Sequence, residues 1–189
     1  MTSWNSHINS TCTSANKTLG FLKRNIKVKH EGVRERAYTS LVRPKLEYAS
    51  PVWSPYTERN INKIEMIQRR AARWVKDSYS RHLSVTSMLD QLGWRTLERR
   101  RSDTKLVMFY KIVHQLIEIP IPPYLKHPIR PTRHDQSLSF IQIRTTVSYY
   151  QYSFFPSAIV LWNRLPNAVV TLSDLDQFKL TVAKTEYSI

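Results

Sequence analysis

Between residues 59 and 76 the chain repeats apolar side chains at the period of a helix and fills the other side with cations. At about 100° per residue, Ile61, Ile64, Ile67, Gln68, Ala71 and Val75 fall within one arc, while Arg59, Lys63, Arg69, Arg70, Arg73 and Lys76 take the opposite side. A segment patterned this way cannot sit in a sheet, where side chains alternate every two residues. Its charged side must face water or an anion.

The same period recurs along most of the chain. Ile8, Cys12, Ala15, Leu19, Leu22 and Ile26 alternate spacings of four and three, predicting a first helix over residues 7–26. A second is expected from about residue 32, bending near Pro44, where the missing N–H and the ring interrupt the ladder, and ending before Pro51. Ser84 is placed to cap a short helix carrying Val85, Met88, Leu89 and Leu92, with Gly93 as its stop. Thr96 is placed to cap another, extending to about residue 117 with Leu106, Phe109, Tyr110, Val113, Leu116 and Ile117 on its buried side.

Prolines 120, 122, 123, 128 and 131 then exclude both helix and central strand. The expected organisation is a helical domain over 1–118, a proline-rich connector over 119–137 and a C-terminal subdomain over 138–189. Residues 140–155 are dense in β-branched and aromatic side chains, which suits a short β-hairpin. Two short helices should follow, one opening near Pro156 and one near Ser173 and Asp174. The fold class is thus mainly α, a helical bundle with a small C-terminal appendage.

Charge narrows the function. Twenty-nine Lys and Arg against 14 Asp and Glu give +15 and a pI near 10.1, which favours a polyanion as partner. Residues 1–118 hold 22 basic and 10 acidic side chains, the rest 7 and 4, so the contact surface is expected in the first part. Three glycines leave no Gly-rich phosphate loop, which argues against P-loop and dinucleotide-binding folds. Cys12 stands alone, so no disulfide or cysteine zinc site forms within the chain. The histidines at 7, 30, 82, 114, 127 and 134 show no i, i+4 metal pair. No apolar run approaches the ~20 residues that span a bilayer, and Met1-Thr2-Ser3-Trp4 has no signal-peptide core. A soluble chain in the nucleus or cytoplasm, without a membrane partner, is the expectation.

Several strings carry a family likeness. Trp4-Asn5-Ser6-His7-Ile8, Leu19-Gly20-Phe21-Leu22-Lys23-Arg24-Asn25 and Leu41-Val42-Arg43-Pro44-Lys45-Leu46-Glu47-Tyr48-Ala49 come first. Ile64-Glu65-Met66-Ile67-Gln68-Arg69-Arg70-Ala71, Ser84-Val85-Thr86-Ser87-Met88-Leu89, Leu97-Glu98-Arg99-Arg100-Arg101 and Phe109-Tyr110-Lys111-Ile112 follow in order. Ser153-Phe154-Phe155-Pro156 and Trp162-Asn163-Arg164-Leu165-Pro166 close the series. Together they resemble the region downstream of the catalytic palm in non-LTR (LINE-type, jockey-like) retrotransposon reverse transcriptases. The resemblance implies a helical thumb that holds template and primer for an RNA-directed DNA polymerase.

It also implies partners: RNA or an RNA–DNA hybrid, and the palm and fingers of the parent polymerase. The full-length enzyme would use Mg2+ held by clustered aspartates, whereas no two acidic residues are adjacent here, so a fragment without polymerase activity or cofactor of its own is expected. The candidate nucleic-acid contacts are Lys63, Arg69, Arg70 and Arg73 on one helix, and Arg99, Arg100, Arg101 and Lys105 on another. Cations in the first turn of that second helix oppose its dipole, which points to an anion nearby. Arg101 and Lys105, one turn apart and off the apolar stripe, are expected to track a backbone. Trp53, Trp74, Trp94 and Trp162 are expected in the core. Two other readings are a non-catalytic protein-interaction module and an unselected relic of a retroelement.

Overall fold

The computed structural model describes residues 4–80, 83–129 and 136–187. His82, Pro131 and His134, with residues 130–135 of the expected connector, lie outside them. The chain divides into two compact units, residues 1–99 and 100–189.

In the first unit, α1 (Asn5–Asn25) buries Ile8, Cys12, Ala15, Leu19 and Leu22 against α5 (Glu58–Val75), which contributes Ile64, Ile67, Ala71, Ala72, Trp74 and Val75. Side-chain pairs Asn5–Asn60, Lys63–Asn9 and Arg70–Asn16 advance together along both helices, so α1 and α5 run parallel. Parallel neighbours need a return path. It is supplied by α2 (Glu31–Ala37), a π-helical turn (Tyr38–Val42), α3 (Arg43–Glu47) and the single turn α4 (Ser50–Trp53).

The π turn is the form the expected bend takes. Pro44 has no N–H and its ring crowds the preceding turn, so the ladder widens there, with Arg43 N–H reaching back five residues to the Tyr38 carbonyl. The widened turn places Tyr38 in the core, stacked on Trp94 with ring centroids 4.4 Å apart. Its hydroxyl donates to Gln68 Oε1 at 3.0 Å, and Gln68 Nε2 donates to the Arg95 carbonyl at 2.9 Å. A polar side chain on the apolar arc is thereby fully used, as burial demands.

Three helix ends share one pattern. After α6 (Val85–Gln91), Gly93 takes φ +62°, and the N–H groups of Gly93 and Trp94 return to the carbonyls of Asp90 and Leu89. Asp77 (φ +49°) closes α5 the same way, with Asp77 and Ser78 bonded to Trp74 and Arg73. Gln115 (φ +53°) does so after α7 (Leu97–Val113). Asp77 carries a second function, since Lys29 and the buried Arg34 both pair with its carboxylate, at 3.0 and 3.1 Å. Those hydrogen bonds, from Lys29 and then Arg34, hold its carboxyl below the usual range.

The second unit is built around Trp162. Helix α9 (Phe154–Asn163) presents it to Phe109 and Tyr110 of α7 and to Phe178 of α11 (Leu175–Lys184), with centroids 5.3, 6.5 and 5.9 Å away. Between those helices lie α8 (Ser148–Gln151) before α9 and α10 (Asn167–Val170) after it. Asp174 caps α11, its carboxylate accepting from Gln177 N–H at 2.7 Å.

Two expectations are revised. Among the described residues of 140–155 there is no β-hairpin: residues 140–147 are irregular, and α8 and the start of α9 follow, joined by a turn at 152–153. Phe140 has its main chain satisfied by an amide side chain rather than a neighbouring strand, since its N–H donates to Asn163 Oδ1 (3.0 Å) and its carbonyl accepts from Asn163 Nδ2 (2.7 Å). The aromatic rings pack on helices, as Phe140 does on Phe109 at 5.4 Å. The compact units also part inside α7, not at the prolines. Leu106, Phe109 and Tyr110 share a core with Leu125, Phe140, Ala158, Trp162 and Phe178, so the proline-rich stretch is internal to the second unit.

Candidate nucleic-acid interface

The edge along which α1 and α5 meet carries a polar ladder. On α1, Asn9, Asn16 and Lys23 recur every seven residues, and on α5 Lys63 and Arg70 do the same. Lys63 Nζ donates to Asn9 Oδ1 at 2.6 Å and Arg70 Nη1 to Asn16 Oδ1 at 3.2 Å. These partners are neutral, so each cation is positioned without being neutralised. Other basic groups of the same unit are paired with carboxylates, Lys76 with Glu31 and Arg34 with Asp77.

Lys23 extends this edge. Its ammonium lies 5.8 Å from the centroid of the Tyr79 ring, and partial burial together with the nearby Arg70 charge lowers its pKa. Two cations held close enough to disturb one another lose free energy that an anion between them would restore. Arg69 projects from the exposed side of α5 next to Arg70.

The eight sequence-predicted contacts therefore separate. Lys63, Arg69 and Arg70 are exposed on the first unit. Arg73 is half-buried, with its Nε shut off from solvent and lacking a hydrogen-bond acceptor among the described residues. Arg99, the last residue of the first unit, and Arg100, the first of the second, are half-buried and partnered. The anion expected at the start of α7 is supplied by the chain itself: buried Glu65 accepts from Glu98 N–H at 2.8 Å, beside Thr96 Oγ1, which accepts from Arg99 N–H. That first turn is no pointer to a phosphate.

Arg101 and Lys105 correct the sequence reading outright. Both are buried, at 1% and 8% exposure, and neither lies on a surface a backbone can follow. They share the inward side of α7 with Phe109 and Ile112, four and then three residues further on. Lys105 Nζ donates to Ser157 Oγ at 2.8 Å. Burial, and secondarily the Arg101 charge, pushes its pKa down to about 8. The Ser157 hydroxyl is not a nucleophile poised by this lysine, because its proton goes to the Ser153 carbonyl at 2.6 Å within the first turn of α9.

A pH dependence follows from Lys105. Unfolded, the lysine stays protonated up to about 10.5, whereas folded it releases its proton near 8, so between these values the unfolded chain binds more protons and stability rises with pH. Lys105→Met should therefore raise stability at pH 7 by on the order of 2 kcal/mol, the relieved charge burial less the lost Ser157 bond. Urea titrations at pH 7 and pH 10.5 check this, and an advantage that persists undiminished at pH 10.5 would show that charge burial is not its source.

Asn9, Asn16 and Lys23 were not apparent from charge alone. The available signal was the seven-residue polar repeat running beside the apolar stripe of α1. Among the described residues no group of three or more His, Cys, Asp or Glu is placed to hold a metal ion, and no helix is long and apolar enough to cross a membrane. Trp53, Trp74, Trp94 and Trp162 are all buried. No family model, curated protein or solved structure matches the chain.

Proposed function

We propose that this protein holds RNA or an RNA–DNA hybrid through the sugar–phosphate backbone, as a thumb-like element of a non-LTR retrotransposon reverse transcriptase, and carries no polymerase chemistry of its own. The observation that supports it is the set of cations along the α1–α5 edge, positioned by asparagine oxygens instead of carboxylates. Lys63 and Arg70 are seven residues apart, about 10.5 Å along the helix axis, so the two cations can meet different phosphates of one strand. Such contacts locate a backbone and carry no base sequence. The ordered motifs that resemble the reverse transcriptase family and the +15 charge agree with this reading.

Fluorescence anisotropy with a labelled RNA–DNA hybrid is the test. Binding should be micromolar or tighter at low salt, indifferent to sequence, and should weaken linearly in log affinity against log salt. Absence of binding at ~50 mM salt, where electrostatic contacts are strongest, would refute the proposal.

A further inference from the structure

On the other flank of α1, away from the α5 edge, an open groove of about 470 Å3 is lined by His7, Ser10, Thr11, Ser14, Pro44, Lys45 and Tyr48. It lies wholly within the first unit, with α1 as one wall and α3 and the turn at Tyr48 as the other. Tyr48 is 81% exposed, an unusual setting for a large aromatic ring. Its backbone is fixed, since its carbonyl accepts from Trp53 Nε1 at 2.7 Å and the chain turns at Ala49 with φ +51°. The imidazole of His7 is held edge-on to Trp4 and Trp53, with centroids 6.0 and 5.0 Å away.

The chemistry of this lining selects a ligand. Three hydroxyls, a lysine and a histidine offer donors to anionic oxygens, and the lining includes no carboxylate to repel them. The exposed phenol ring offers a flat apolar face alongside. A group with negatively charged oxygens at one end and an aromatic plane at the other fits both, and the volume suits one nucleotide, not a duplex.

We propose that this groove takes one unpaired nucleotide of a single strand, its phosphate on Lys45 and the hydroxyls of Ser10 and Ser14, and its base on the Tyr48 ring. The inference rests on the backbone-binding reading above and adds a second, separate contact: the α1–α5 edge follows a backbone, and the groove receives a base that has left the helix. A base inserted this way is recognised by its face, so the site tolerates all four.

The test uses the full chain and three labelled probes: a single strand of about eight nucleotides, the same strand with its bases removed, and an RNA–DNA hybrid. Wild-type protein should bind the intact strand about ten- to a hundredfold more tightly than the abasic one. Tyr48→Ala should erase that difference and leave the hybrid unaffected, Tyr48→Phe should preserve it, and Lys45→Gln should weaken both single strands alike. Equal affinity of the wild type for intact and abasic strands overturns the proposal, as does a Tyr48→Ala variant that keeps the difference. Polyglutamate that displaces the intact strand as well as an unlabelled copy does would identify an acidic peptide as the occupant and also overturn it. Failure of the hybrid to bind at low salt defeats the backbone reading; normal hybrid binding with no base dependence defeats this one alone.

Discussion

Replacing Trp162 with alanine should cost the second unit about 3–5 kcal/mol, the largest effect expected of any single substitution in this chain. Its side chain is fully buried and touches Phe109, Tyr110 and Phe178, so deletion strips packing from three rings at once. It also bears hydrogen bonds that order the chain around it: its Nε1–H donates to the Leu138 carbonyl at 2.9 Å, and its own carbonyl accepts from Gln136 Nε2 at 3.1 Å. Trp162→Phe keeps much of the apolar packing but gives up part of the ring volume and the indole donor, leaving the half-buried Leu138 carbonyl short of a partner, a cost of about 1–3 kcal/mol. Hydrogen exchange resolves the effect by element. Amides of α9 and α11 should lose protection in the order wild type, Trp162→Phe, Trp162→Ala, while fluorescence from Trp4, Trp53, Trp74 and Trp94 reports on the first unit. Unchanged protection in α9 of the alanine variant would mean that this core is not what the packing indicates.

Changing Lys23, Lys63, Arg69 and Arg70 together to glutamine should weaken hybrid binding at low salt by on the order of a hundredfold. The salt dependence should flatten as well, by roughly 0.9 in the slope of log affinity for each phosphate left without its cation. Charge removal at this edge should not unfold the protein, because Arg69 and Arg70 are exposed and glutamine can still donate to Asn9 and Asn16. The appropriate control neutralises Lys126, Lys179 and Lys184, all on the second unit. If that control flattens the slope as much per charge, net charge alone governs binding and the α1–α5 edge has no special place in it.

The first unit was readable from the sequence where polarity and position agree. On α1 and α5 the inward stripe is mostly apolar, Glu65 and Gln68 excepted, and the outward residues are mostly polar or charged, so period identifies the helices and their buried sides. On α7 the two diverge. Arg101 and Lys105 occupy inward positions, and a reading that takes charge as a sign of exposure assigns them to the wrong side. Residues 140–155 fail for a related reason. Propensity for strand was high, but a strand requires a partner, and the main chain of Phe140 found one in the side chain of Asn163. Helix ends were only partly legible: Gly93 announces its left-handed turn, whereas Asp77 and Gln115 adopt the same conformation without any glycine to mark it.

The wide turn at Tyr38–Val42 amounts to one residue more than a regular ladder requires. Excising that one residue would restore even winding and leave both flanks in phase, whereas excising one from α3, where no slack is stored, would rotate everything before it by about 100° and swing the Tyr38 phenol off Gln68 and Trp94. Chain length is consequently more forgiving inside this turn than on either side of it, where a missing residue re-indexes a whole face, and a changed side chain at exposed Ser40 or Leu41 has only local effects.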